Sequence, residues 1–217
     1  MTPMKEDYLK IIFELGGGAT KMVSNKQIAI SLNVAAGSVT EMVNKILADN
    51  FVTHKPYSGG VKLTEKGIDY AEELVRKHRL WEVFLNRELK FDLPDVDVEA
   101  EKLEHVTSDK MIDHLDNYLG NPTTCPHGGV IPSKDGLYTE DTHLVLNDAE
   151  VGHEYTIARF IDNYDFLTYL SEIHLHLNDK ILILDHDSFE GAVEIKRLSD
   201  GAVVTIGYKA SHYIFVK

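Results

Sequence analysis

Hydrophobic positions in the first third of the chain recur at helical spacing. Tyr8, Leu9, Ile11, Ile12 and Leu15 fall three and four apart, which predicts a helix from Lys5 with one apolar face. Gly16, Gly17 and Gly18 end it. Ser24 is placed to cap a short second helix carrying Ile28, Ala29 and Leu32. After a turn at Asn33 and Val34, a third helix is predicted from Ala36 to Asp49, with Val39, Val43, Ile46 and Leu47 inward. Two alternating runs, 51–55 and 61–64, meet at Ser58, Gly59 and Gly60, the pattern of a β-hairpin. Three helices and a hairpin make a winged helix-turn-helix.

The period then lengthens. One long helix is predicted from Thr64 to Glu88, Pro94 marks a connection, and a second helix is predicted from Val98 to Leu119. Residues 120–129 read as a loop. Beyond Leu144 the texture is short and alternating (155–161, 180–184, 192–196, 202–206), with one short helix from Asp165 to Ile173, which predicts a small β-barrel. The expected division is 1–70 winged helix, 71–142 helical domain and 143–217 barrel. His174 and His176 are expected on a barrel edge, Asp185 to Asp187 in a surface turn, and Trp81 and Phe84 in a dimer core.

The net charge of −13 argues at first against contact with phosphates. Its distribution changes that. Residues 1–70 carry eight Lys and seven acidic residues, a balance of +1, and the remainder carries −14. DNA contact by the first segment is therefore allowed, and the acidic remainder suits cations. No apolar run approaches the roughly 20 residues of a membrane span, and residues 1–10 lack a signal-peptide core, so a cytoplasmic protein with no membrane partner is expected. A single cysteine, Cys125, excludes an intrachain disulfide.

The second helix of a helix-turn-helix enters the major groove. Ser38, Thr40 and Glu41 would face the bases there, while Lys26, Gln27, Lys45, Lys55 and Tyr57 would reach phosphates. The same motif also serves as a protein-interaction module. Glu101, Glu104 and His105 fall on one helix face, His78 and Glu82 are four apart, and Cys125 and His127 share a loop. Each group alone also fits a solvated face or a buried small side chain.

Six segments together resemble the diphtheria-toxin-repressor (DtxR/MntR) family. They are Met1-Thr2-Pro3 with Glu6-Asp7-Tyr8-Leu9; Val39-Thr40-Glu41-Met42; Leu63-Thr64 with Gly67; Arg76 through Leu85; Glu101, Glu104, His105, Ser108 and Asp109; and Cys125 through Gly129 with Ile131 and Pro132. The set is most similar to the manganese-responsive regulators of streptococci and enterococci. The resemblance implies a mainly α fold with β: winged helix-turn-helix, helical dimerisation and metal domain, and SH3-like (FeoA-like) barrel. It implies a homodimeric repressor of metal-uptake genes, not an enzyme, that binds palindromic double-stranded operator DNA when metal-loaded. It implies a primary metal site of Asp7, Glu101, Glu104 and His105, and an ancillary site of His78, Glu82, Cys125, His127 and Asp162, with His78 able to lie between the two.

Oxygen-rich ligands suit Mn²⁺, expected at two sites per subunit, with Fe²⁺, Zn²⁺ or Cd²⁺ binding in vitro. Two departures stand out. Lys10 occupies a position where relatives from bacilli place a carboxylate ligand, so a two-ion cluster of that kind is not expected. Ala35-Ala36-Gly37-Ser38 replaces the Ser-Pro-Pro-Ala favoured by streptococcal relatives, so the operator sequence is not carried over. The rivals are a metal-dependent hydrolase, for which no nucleophile elbow, phosphate loop or His-Glu-x-x-His motif is present, and a constitutive DNA-binding protein with a structural metal.

Overall fold

The computed structural model describes residues 1–18, 21–54, 60–134, 143–187 and 191–217. They form two compact units. The first comprises residues 1–81, 101–123 and 130–140, and the second comprises 82–100, 124–129 and 141–217.

The first unit begins with α1 (Pro3–Leu15), β1 (Val23–Ser24), α2 (Asn25–Ser31), α3 (Ala36–Ala48), β2 (Val52–His54) and β3 (Gly60–Leu63). Gly17 and Gly18 have φ of +57° and +62°, a conformation that only glycine adopts freely, which is why α1 stops there. At α2 a capping box forms, with Ser24 accepting from the Gln27 amide and Gln27 Oε1 accepting from the Ser24 amide. The strands order β1-β3-β2, all antiparallel. Leu9, Ile12, Phe13, Ile28, Val39, Val43, Ile46, Val52 and Val61 close one core. Met42 joins it, whereas Leu47, predicted inward, is exposed.

Helix α4 (Glu65–Arg87) is continuous, as its pattern predicts. The helix predicted from Val98 to Leu119 is instead two, α5 (Leu93–Glu104) and α6 (Asp109–Leu119). Hydroxyls make the break. Ser108 caps α6 by accepting from the Met111 amide, and Thr107 Oγ1 donates to Leu103 O at 2.6 Å while accepting from Trp81 Nε1 at 2.9 Å. Local side-chain bonds of this kind compete with helix continuation. His105 consequently lies just beyond α5 rather than within a helix.

Among its described residues, the second unit has six antiparallel strands: β4 (Leu144–Val145), β5 (Glu154–Phe160), β6 (Lys180–His186), β7 (Val193–Arg197), β8 (Val203–Ile206) and β9 (Ile214–Val216). Their order is β4-β9-β5-β6-β7-β8. Bulges between Ile157 and Arg159 and between Ile183 and Asp185 bend the sheet. Helix α7 (Tyr164–Glu172) follows β5, capped by Asn163, and the short α8 (Tyr208–Ser211) precedes β9. Leu146, Ile157, Phe160, Leu167, Ile181, Ile183, Ile195 and Ile214 fill the core. Two expectations are corrected. His174 has φ +54° in the turn after α7, and His176 donates its amide to Asp179, so neither lies on a strand. Asp185 and His186 end β6, paired with Glu194 and Val193, rather than forming a surface turn.

Candidate metal centres

The first centre lies wholly within the first unit. Asp7 comes from α1, Glu101 and Glu104 from α5, and His105 from the break after it. One ligand atom from each lies within 4.8 Å of the others. His105 Nε2 is 3.0 Å from Asp7 Oδ1 and 3.7 Å from both Glu101 Oε1 and Glu104 Oε1. Asp7 Oδ1 is buried without an aligned hydrogen bond. Burial first, then Glu101, raise the Asp7 carboxyl to about 6 against the opposing pull of His105 and Lys10. Three carboxylates and an imidazole aimed at one point, one of them without an aligned hydrogen bond, fit a divalent cation.

Side chains outside the predicted set orient this centre. Glu6 is buried. Its Oε2 is 2.7 Å from His105 Nδ1, and its Oε1 accepts from the Tyr70 hydroxyl at 2.6 Å. A carboxylate on Nδ1 holds the ring so that Nε2 offers its lone pair to the cluster. Sequence reasoning missed Glu6. The available signal was a charged residue on the buried, apolar-rich face of α1.

His78, grouped above with the ancillary ligands, has Nδ1 2.5 Å from Glu104 Oε2 and 3.8 Å from Glu101 Oε2. Its Nδ1 therefore faces two carboxylates of the first centre, which is compatible with the expected position between the two sites. Lys10 Nζ contacts Glu101, both Glu104 oxygens at 3.0 and 2.9 Å, and His78 at 3.3 Å. Burial disfavours the ammonium, but Glu104 and Glu101 outweigh it and hold Lys10 above the ordinary lysine range. Burial likewise works against the Glu104 carboxylate, and His78 and Lys10 overcome it, leaving Glu104 below its usual value.

The second centre lies wholly within the second unit. Glu82, near the end of α4, meets Cys125 and His127 from the 124–129 loop, again with ligand atoms within 4.8 Å of one another. His127 Nδ1 is 2.8 Å from Glu82 Oε1 and 3.1 Å from Asp162 Oδ1, just past β5. Both His127 nitrogens are buried without an aligned hydrogen bond, which again fits a ligand set for a divalent cation. Burial works against a charged His127, yet Asp162 and Glu82 raise it well above the usual histidine value. Burial and then Glu82 push the Cys125 thiol up to about 11, so a metal ion there must displace its proton.

Backbone bonds set the loop. Cys125 donates to Gly129 O and Gly128 to Cys125 O, both at 2.9 Å, and Phe160 of β5 donates to His127 O at 2.9 Å. Gly128 has φ +84°, and a Cβ there would stand 2.2 Å from Ala158 O. Gly128→Ala is expected to cost about 1–3 kcal/mol through strain alone, lowering the melting temperature and weakening Zn²⁺ binding at this centre in a chelator competition.

On α3, Ser38, Thr40, Glu41 and Lys45 are exposed while Val39, Met42, Val43 and Ile46 are buried. Glu41 pairs with Lys45 at 2.7 Å, and Thr40 Oγ1 donates to Ala36 O. Lys26 is exposed on α2, whereas Gln27 is engaged in the capping box. Lys55 and Tyr57 lie outside the described residues.

Residues 1–60 match the iron dependent repressor N-terminal DNA binding domain, and residues 64–133 the iron dependent repressor metal binding and dimerisation domain. Residues 144–217 match the FeoA domain. The structure of the manganese regulator SloR matches at TM-score 0.87 and 39% identity, covering 100% of this chain and 99% of that one. The chain belongs to the DtxR/MntR family. A manganese-dependent transcriptional repressor in complex with manganese matches at TM-score 0.89 and 34% identity, over 98% of each chain. The HTH-type transcriptional regulator MntR of Oceanobacillus iheyensis is 36% identical over 121 residues, 52% of this chain and 76% of that protein. Family membership makes the chain a DNA-binding, metal-dependent repressor and not an enzyme. No helix among the described residues is long and apolar enough to cross a membrane.

Proposed function

We propose that this chain is a manganese-responsive repressor of metal-uptake genes, binding palindromic operator DNA as a homodimer when its first centre is loaded. One observation carries the reading: Asp7, on the first helix of the DNA-binding segment, converges with Glu101, Glu104 and His105 of the metal-binding segment. A divalent ion there would supply the positive charge that lets these ligands share one point. Asp7 then fixes α1, and through the shared core α3, against α5. In a two-fold dimer, that fixes the separation of two α3 helices, which must match half-sites about one helical turn apart.

The metal assignment follows from the donors. The first centre is three carboxylates and one imidazole, a set suited to Mn²⁺, while the Cys125 thiolate makes the second centre softer and more open to Zn²⁺ or Cd²⁺. The manganese-responsive relatives support the same choice. Val106, Met111 and Tyr118 stand exposed at and near α6, apolar surface suited to burial against a second copy. The segments then divide as reading head (1–70), dimerisation and metal domain (71–142) and barrel (143–217), with Ser38, Thr40 and Glu41 at bases and Lys26 and Lys45 at phosphates.

The test is fluorescence anisotropy on DNA from upstream of this chain's own coding sequence, titrated with Mn²⁺, Fe²⁺ and Zn²⁺. Binding that rises with Mn²⁺ and is reversed by chelator is expected. Equal binding with and without chelator removes the sensing role and leaves a structural metal.

A further inference from the structure

The first centre contains a cation of its own. Glu101 turns Oε2 to the Lys10 ammonium and Oε1 toward His105 Nε2, 3.7 Å away. Glu104 likewise meets Lys10 at 2.9 Å through Oε2, while its Oε1 is 3.0 Å from Lys10 and 3.7 Å from His105 Nε2. These two carboxylates thus serve two adjacent positions. One is filled by the ammonium, with His78 Nδ1 beside it at 3.3 Å. The other is faced by Asp7, Glu101, Glu104 and His105.

Both helix α1 contributions, Asp7 and Lys10, sit one turn apart on the same face. They act in opposite senses. Asp7 adds negative charge to a carboxylate cluster and binds well only when a cation is present. Lys10 brings a cation that never leaves, because it is covalently part of α1. The Lys10 side chain is 12% exposed, so salt screens its attraction to the carboxylates weakly.

We propose that Lys10 is a resident counter-ion that holds α1 against α5 while the metal position is empty, and whose charge raises the metal concentration needed to fill that position. The inference rests on the reading of this cluster as a metal centre. Without metal, Lys10 offsets the repulsion among Glu101, Glu104 and Asp7. With metal, it faces a second positive charge across shared carboxylates, so binding is weaker than the four ligands alone would give. The chain thereby trades affinity for a preformed site and a higher response threshold.

The test compares Lys10→Met, Lys10→Gln and Lys10→Arg with the unaltered chain. Mn²⁺ binding is followed by calorimetric titration, with Asp7→Ala identifying the step that belongs to the first centre, and melting is recorded with chelator and with Mn²⁺. Lys10→Met is expected to melt several degrees lower in chelator and to bind Mn²⁺ at the first centre roughly tenfold or more tightly. The second-centre step and the melting of the loaded protein should change little, and Lys10→Arg, which keeps the charge, should stay near the unaltered chain. If Lys10→Met unfolds in chelator, the holding role is upheld and Lys10→Gln supplies the affinity. Unchanged or weaker first-centre binding in the charge-removing variants, or unchanged melting in chelator, overturns the proposal. Absence of any Asp7-dependent Mn²⁺ step in the unaltered chain instead defeats the metal reading itself, and the melting comparison in chelator still decides whether Lys10 holds the two helices.

Discussion

Asp7→Ala is expected to abolish the metal response while leaving the protein folded. The side chain is the only ligand of the first centre that α1 supplies, so its loss uncouples metal binding from the position of α3. A coupling of about 1.4 kcal/mol corresponds to a tenfold change in DNA affinity, and the variant should lose at least that Mn²⁺-dependent gain. Its melting in chelator should not fall. Burial and Glu101 hold the Asp7 carboxyl at about 6 rather than 3.8, which means the metal-free fold disfavours the charged form and gains no stability from it near neutral pH. Anisotropy titrations with and without Mn²⁺ are the measurement, and a preserved Mn²⁺ response would remove Asp7 as the link.

His127→Ala should be the most damaging single change at the second centre. Glu82 is 0% and His127 1% exposed, and the raised His127 supplies positive charge between Glu82 and Asp162. Removing one partner of a buried charge pair costs about 3–5 kcal/mol, because the other is left uncompensated. A drop of many degrees in melting temperature is expected, together with the loss of one bound metal ion per chain by elemental analysis. Unaltered melting and metal content would mean that Glu82 and Cys125 hold the ion without His127. The two centres thus predict opposite signatures: losing Asp7 costs response without stability, and losing His127 costs stability and metal together.

Much of this was legible in order along the chain. The apolar spacing of Tyr8, Leu9 and Ile12 and the Ser24 cap report local preferences, and local preferences decided those helices. The spacing of Glu101, Glu104 and His105 likewise placed three candidate ligands on one side of a segment. The break after Glu104 was passed over because the helical spacing continues through it; its local signal was the Ser108 cap, while the bond that Trp81 gives Thr107 from 26 positions away carries no sequence signal. Strand β9 was missed because three residues at the chain's end offer too little alternation to count. The surroundings of His78 were only half legible for a related reason: its spacing to Glu82 describes one helix, whereas Glu104 and Lys10, which its Nδ1 also meets, come from two others. Lys10 was noticed as a departure from a ligand position, but only the three-dimensional arrangement shows that it brings the opposite charge to the same carboxylates.

The hydrogen bond from the Phe160 amide to the His127 carbonyl gives the second centre a natural reporter. An amide so placed exchanges its hydrogen with solvent only when the loop lifts from β5. Its protection in deuterated buffer therefore measures how often the loop opens, and a bound ion that pins Cys125 and His127 would slow that opening. Occupancy of the second centre can in this way be followed at a single backbone position, without optical labels and without DNA.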